Sequence, residues 1–256
     1  MPLLDVKDVT LQFGGLTAIR SFSFHLNAGE ILGLIGPNGA GKTSVFNCIS
    51  GFYHPTSGTI TFDGTVVNGM RPHKRTALGM ARTFQNLRLF PNLTAEENVM
   101  AGTHCRTKAN IFDSMLHLPA QVREEKSVHE ESRQWLEFVG LGKDYRRQAK
   151  NLSYGQQRRL EIARAMAIRP KVILLDEPAA GLNPSEKSEL MELIRKIRNT
   201  GVTPLLIDHD MAMVMKVTER LVVLDHGEKL AEGTPDQVRD NPAVIEAYLG
   251  KEEEDA

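Results

Sequence analysis

An apolar run from Ile31 to Ile35 passes directly into Gly36-Pro37-Asn38-Gly39-Ala40-Gly41-Lys42-Thr43, and this junction constrains the fold more than any other stretch of the chain. The pattern G-x-x-x-x-G-K-T works as a backbone nest between a strand and a helix, where N–H groups converge and the helix adds its positive dipole end. Both flanks fit: Ile31 to Ile35 reads as a buried strand, and Ser44 to Ser50 as a helix closed by Gly51 at the C′ position. The site predicted from Gly36 through Ser44 binds nucleotide phosphates. Lys42 is expected to reach the β- and γ-phosphates, and Thr43 to hold Mg²⁺.

The continuous apolar run Val172 to Leu175 reads as a central parallel strand covered on both faces, with Asp176 and Glu177 at its carboxyl end. Ligands of open α/β sheets lie outside that end, which brings both acids toward the phosphate loop. Adjacent residues at a strand end point in different directions, so the two acids take different roles. Asp176 is expected to hold Mg²⁺ through its water shell. Glu177 is expected to face the γ-phosphate and to orient and deprotonate the attacking water.

With 256 residues, 41% of them hydrophobic and 25% charged, the chain can bury a sizeable core. Its net charge of −1 gives no footprint for nucleic acid. No apolar run approaches the ~20 residues of a membrane span, and Met1-Pro2-Leu3-Leu4-Asp5 lacks a signal-peptide pattern, so a cytosolic protein is expected. Cys48 and Cys105 have no partner spacing and are expected as reduced, structural thiols.

Strand patterns at Leu3 to Phe13, Ser21 to Leu26 and Thr59 to Phe62 predict an antiparallel sheet near the nucleotide base. From Thr94 the pattern is helical: Thr94 and Glu97 make a capping box, and Val128, Trp135 and Val139 form a core stripe before Gly140. A strongly helical stretch, Gln156 to Met166, follows Ser153 and Gly155 and presents a second positive helix end to phosphate. Residues 102–121 show little periodicity and are expected to form an insertion, and Glu252-Glu253-Glu254-Asp255 a disordered acidic end. Apolar Leu89 and Phe90 in the loop after Gln85 are expected to be core or a docking groove rather than bare surface.

Leu152-Ser153-Tyr154-Gly155-Gln156 resembles the signature motif of ATP-binding-cassette (ABC) ATPases, and the order of motifs resembles that family from about residue 3 to 250. The resemblance implies an α/β fold, a P-loop NTPase of the ABC ATPase type, with a RecA-like parallel-sheet core, an antiparallel β-subdomain and a helical subdomain. The core with its β-subdomain would span 1–93 and 168–250, the helical subdomain 94–167, and the acidic tail 251–256. It implies that ATP and Mg²⁺ are bound, and that Phe13 stacks on adenine, although Phe13 also fits a half-buried edge strand with Val6, Val9 and Leu11. Gln85 would touch Mg²⁺ and the attacking water, and His209, at the end of Leu205 to Asp208, would contact the γ-phosphate. Read without the family, Gln85 is a solvated polar residue and His209 a structural histidine. Ser153, Gly155 and Gln156 would act across a head-to-tail dimer on the partner's nucleotide.

The runs Arg82 to Phe90, Gly181 to Pro184 and Gly233-Thr234-Pro235 through Ala247 to Gly250 resemble the ATP-binding subunit of bacterial high-affinity branched-chain amino acid importers. That branch implies a homodimer or a pairing with a similar ATPase, two membrane permeases, an external substrate-binding protein, and a peripheral position on the cytoplasmic face of the inner membrane. An ABC ATPase serving another cargo, or a non-transport cytosolic one, stays open at this point. Two residues depart from the common pattern: Tyr154 where glycine is usual, expected to narrow the approach to the partner's phosphates, and Asn183 where many relatives have aspartate. Asn183, Pro184 and Glu186 read as N-cap, N1 and N3 of a helix.

Overall fold

The computed structural model describes residues 1–103 and 119–249. Its centre is a six-stranded sheet built from β3 (Leu32–Ile35), β6 (Met80–Arg82), β7 (Val172–Asp176), β8 (Thr203–Ile207), β9 (Arg220–Asp225) and β10 (Glu228–Gly233), in the order β10-β9-β3-β8-β7-β6. The pairs from β9 through β6 are parallel and β10 closes one edge antiparallel. A second sheet, β2-β1-β4-β5, is antiparallel and uses β1 (Leu4–Phe13), β2 (Leu16–Leu26), β4 (Ser57–Phe62) and β5 (Thr65–Val66).

The two-residue period of the central strands sorts the core into two layers. Leu32, Leu34, Val172, Leu174, Leu205, Ile207, Val222 and Leu224 share a cluster with Phe22, Phe24, Ile60 and Phe62 of the antiparallel sheet and with Phe46 and Ile49 of α1 (Lys42–Ser50). Their neighbours Ile35, Ile173, Leu175, Leu206, Leu221 and Val223 face the other way, into a cluster with the remaining helices. A strand that must be apolar at successive positions is therefore one packed on both faces, which is why Val172 to Asp176 is buried throughout.

That second layer contains α3 (Ala95–Thr103), α4 (Pro119–Phe138), α5 (Tyr154–Met166), α6 (Pro184–Asn199) and α7 (Met211–Val217); the short α2 (Pro72–Ala77) precedes β6, and α8 (Pro235–Arg239) and α9 (Pro242–Leu249) follow β10. The capping box at Thr94 and Glu97 is present, with Thr94 N–H 2.7 Å from Glu97 Oε2 and Glu97 N–H 3.2 Å from Thr94 Oγ1. Among the α4 residues whose burial is described, Ser132 and Leu136 are buried, continued by Val139, while Val128 and Trp135 of the expected stripe are half-buried. Of the expected insertion, 102–103 lie in α3 and 119–121 in α4; 104–118, Cys105 and the acidic tail lie outside the described residues. Cys48 is buried, and burial raises its thiol pKa to about 11, which fits an unreactive structural thiol. No described helix is long and apolar enough to cross a membrane.

Candidate nucleotide site

Because β3, β6, β7 and β8 are parallel, the segments after them meet at one edge of the sheet: Gly36 to Gly41, Thr83 to Gln85, Glu177 to Leu182, and Asp208 to Asp210. Helix α1 begins at Lys42, two residues before the expected start, with Gly41 as its N-cap at φ 104°. Lys42 and Thr43 are thus first-turn residues, ahead of the bond from Val45 N–H to Gly41 O, 3.0 Å, where the helical ladder begins. The glycines let the backbone pass tightly between strands. A Cβ on Gly36 would lie 2.0 Å from Leu224 O, and one on Gly41 2.7 Å from Ala18 O. Lys42 is only 8% exposed, and its Nζ donates to Gly36 O at 2.6 Å and Pro37 O at 2.8 Å, which fixes the ammonium inside the loop. Convergent N–H groups and a held cation make an anion site.

At the end of β7 the two acids diverge. Glu177 has φ 45°, a left-handed conformation that costs a non-glycine residue about 1–2 kcal/mol, and its N–H donates to Ile207 O at 2.8 Å. This turn aims the side chain at two other loops. Gln85 Nε2 donates to Glu177 Oε2 at 2.9 Å, and His209 Nδ1 lies 3.6 Å from the same oxygen. Asp208, fully buried, ties those loops together: its Oδ2 accepts from Ala179 N–H at 3.1 Å and its Oδ1 from Asp210 N–H at 2.9 Å, 3.8 Å from His209 Nδ1. Asp210 in turn caps α7 through Met213 N–H at 3.0 Å and pairs with Lys187 of α6.

Asp176 is buried and its Oδ2 accepts from Arg82 Nη2 at 2.8 Å. Arg82 Nη1 also donates to Asn47 Oδ1 at 2.8 Å and Ser50 Oγ at 2.7 Å on α1, and its guanidinium lies 5.1–5.7 Å from the centroids of Phe46, Phe52 and Phe84. Thr43 Oγ1, the Asp176 carboxylate and the Gln85 amide oxygen are hard oxygen donors of the kind that suit Mg²⁺ beside phosphate. With Nε2 on Glu177, the Gln85 amide turns its oxygen away from that carboxylate.

Phe13 is 46% exposed at the end of β1, although the run Val9, Leu11, Phe13 reads as one buried face. The half-buried edge-strand reading fails, because β1 lies between β2 and β4 in the middle of its sheet, and register shifts along it leave Phe13 outside the core. Its ring meets Tyr53 edge to face, 5.1 Å between centroids at 77°, and the pair offers aromatic surface to a base.

Ser153, Gly155 and Gln156 stand at the start of α5, away from these loops in their contacts. Ser153 and Gln156 form a capping box, with Gln156 N–H 3.3 Å from Ser153 Oγ and Ser153 N–H 3.0 Å from Gln156 Oε1, and a Cβ on Gly155 would meet Glu186 Oε1 at 2.5 Å. The helix starts at Tyr154 rather than at Gln156. Asn183 makes the expected capping box with Glu186, both bonds at 3.0 Å. Of the two readings for the pair after Gln85, core fits Leu89, which is half-buried and packs against the helical-side cluster, while Phe90, 50% exposed, offers its side chain to solvent. Sequence reasoning gave no role to Arg82, Asp208 or Tyr53. An acid directly after the apolar strand Thr203 to Ile207 repeats the signal that singled out Asp176, and would have identified Asp208.

Comparison with known proteins agrees with this geometry. Residues 19–180 match the family model described as ABC transporter, and residues 228–254 match that of the branched-chain amino acid ATP-binding cassette transporter. The high-affinity branched-chain amino acid transport ATP-binding protein BraF of Pseudomonas aeruginosa is 48% identical over 251 residues, 98% of each chain. Among solved structures, the ADP conformation of an ATP-binding cassette of an ABC transporter has a TM-score of 0.86 at 31% identity, covering 98% of this chain and 99% of that one. A dimeric post-hydrolysis cassette bound to ADP and Pi has a TM-score of 0.76 at 26% identity, over 91% and 98%. Family match, similarity over nearly the full length and a G-x-x-x-x-G-K-T loop at the same sheet edge as the Glu177–Gln85–His209 cluster lead to one assignment: the chain belongs to the ABC transporter family and is one of its ATP-binding cassettes.

Proposed function

We propose that this chain binds and hydrolyses ATP at the edge between the phosphate loop and Glu177, and that hydrolysis powers import of branched-chain amino acids. The observation that carries the chemistry is the convergence of Gln85 Nε2 and His209 Nδ1 on Glu177 Oε2. A carboxylate held by the Gln85 amide and flanked by His209 is oriented to accept a proton from water, a role worth about 10²–10⁴-fold in rate. Lys42 and the N–H groups of Gly36 through Ser44 bind the phosphates, Phe13 with Tyr53 carries the base, and His209 adds a contact for the γ-phosphate. Bound Mg²⁺ would neutralise phosphate charge, and Thr43, Asp176 and Gln85 are the residues that would hold it or its water shell.

The cargo follows from the 48% identity to a branched-chain amino acid transport protein and the match of residues 228–254. The dimeric neighbour supports pairing with a second cassette, in which Ser153, Gly155 and Gln156 face the partner's nucleotide. Two permeases and an external binding protein complete the assembly, with this chain on the cytoplasmic face of the membrane. The nucleotide-binding core and β-part fall in 1–93 and 168–250 and the helical part in 94–167, a division supported by the packing of α3, α4 and α5 on one another.

Glu177→Gln tests the reading. It should bind ATP as wild type does, assemble into an ATP-dependent dimer and turn over at least about 10²-fold more slowly. Single-turnover hydrolysis at the wild-type rate would remove Glu177 from the role of base.

A further inference from the structure

Tyr154, the residue that departs from the usual signature peptide, is the start of a chain of contacts that ends at the catalytic carboxylate. Its hydroxyl accepts from Arg158 Nη2 at 3.0 Å. Arg158 lies one turn along α5 and is 1% exposed; its Nη1 donates to Phe84 O at 2.8 Å and its Nη2 to Gln85 O at 3.0 Å. The same guanidinium pairs with Glu161 at 3.3 Å, equally buried, whose Oε1 accepts from the N–H groups of Phe84 and Arg88, each at 3.4 Å. One buried ion pair on the signature helix therefore grips the Gln85 loop by its carbonyls and by its N–H groups. A guanidinium bound to two successive carbonyls fixes their direction, because its donors form a rigid planar fork. Gln85 is bounded on its main chain by Arg158, and its side-chain amide reaches Glu177 Oε2 at 2.9 Å. The Tyr154 ring also lies against the loop that follows Glu177: a Cβ on Gly181 would fall 3.1 Å from its Cε1.

We propose that Tyr154 is a positioning residue for hydrolysis. Its hydroxyl holds Arg158, Arg158 sets the Gln85 loop, and the Gln85 amide is thereby kept on Glu177. The signature peptide and the catalytic base are then joined within one chain, so that a shift at the start of α5 is felt at the base. A glycine at this position has no side chain to make the link. The inference rests on the reading of Glu177 as the base, and its test separates the two.

The experiment measures single-turnover ATP hydrolysis and the KM for ATP, with the full chain assembled with its permeases and partner ATPase. The variants are Tyr154→Phe, Gln85→Ala and their combination, with Glu177→Gln in parallel. Loss of one hydrogen bond made by a neutral hydroxyl on a side chain that is 44% exposed should lower the hydrolysis rate of Tyr154→Phe about fivefold, with KM within about twofold of wild type. In the Gln85→Ala background the same change should have less than about a twofold effect, because the group it positions is gone. A wild-type rate in Tyr154→Phe, an equal fall in both backgrounds, or a raised KM with an unchanged rate would each overturn the proposal. If Glu177→Gln abolishes turnover in those cases, the site reading stands and only the positioning role falls. If Glu177→Gln turns over normally, both fall together.

Discussion

Replacing Arg82 with methionine removes the cation from the back of the nucleotide site while keeping an apolar stem among Phe46, Phe52 and Phe84. Three short hydrogen bonds are lost: to Asn47 Oδ1, to Ser50 Oγ and to Asp176 Oδ2. Bonds to neutral acceptors contribute about 1 kcal/mol each and one to a charged group about 1.5–3, so the set amounts to roughly 3.5–5 kcal/mol. An independent route gives the same size, since removing one partner of a buried ion pair costs about 3–5 kcal/mol by leaving the other charge uncompensated. Both side chains of the Arg82–Asp176 pair are less than a tenth exposed, so solvent does little to soften that cost. Against a total stability of about 5–15 kcal/mol the loss is a large share, and should lower Tm by roughly 7–20 °C. Urea unfolding followed by circular dichroism, without nucleotide, measures it directly. Asp176→Asn should cost less in the Arg82→Met background than alone, with a coupling of at least about 1.5 kcal/mol. A loss below about 1 kcal/mol at unchanged m-value, or strict additivity, would refute the view that Arg82 and Asp176 stabilise the site as a pair.

Gly36→Ala should weaken ATP binding by more than about tenfold, because its Cβ would collide with Leu224 O at 2.0 Å on a fixed strand; titration with a fluorescent nucleotide giving a wild-type Kd would contradict this. Phe90→Asp should reduce amino acid uptake in vesicles with nucleotide binding within a few-fold of wild type, whereas Leu89→Asp should also lose stability because Leu89 packs on the core; full uptake and stable assembly in both would place the permease contact elsewhere. The Glu97 carboxyl is held below its usual pKa, first by the Thr94 N–H and then by the Thr94 hydroxyl. A depressed folded-state pKa means the capping box contributes fully above about pH 4.5 and loses its contribution as pH falls through the lowered value. Glu97→Gln should therefore be less sensitive than wild type to acidification below about pH 4.5, and parallel stability curves for the two proteins would rule the linkage out.

What could be read from the sequence, and what could not, divides along the distance between partners. The phosphate loop is local: glycines at fixed offsets and a lysine specify a nest whatever the rest of the chain does, and Asp176 and Glu177 are marked by the apolar strand before them. The sequence signals a start for α1 two residues late because its N-cap is Gly41 in a left-handed conformation, with none of the Ser, Thr, Asp or Asn signals that mark a helix start. Phe13 leaves its hydrophobic stripe because register shifts interrupt β1, and a bulge has no alternation to read. Arg82, Arg158, Glu161 and Asp208 were not singled out for a subtler reason. A charged residue in a sequence reads as a solvated one, and what makes these four buried is a partner 94, 74, 77 and 29 positions away. Arg82 and Asp208 link chain stretches at the carboxyl edge of the sheet, and Arg158 and Glu161 link one of those stretches to α5. The groups proposed for the chemistry announce themselves by spacing, while those that hold the loops in register are visible only once the sheet has brought the loops together. Buried polar links suit that task, since hydrogen bonds fix direction where apolar contacts would let the loops slide.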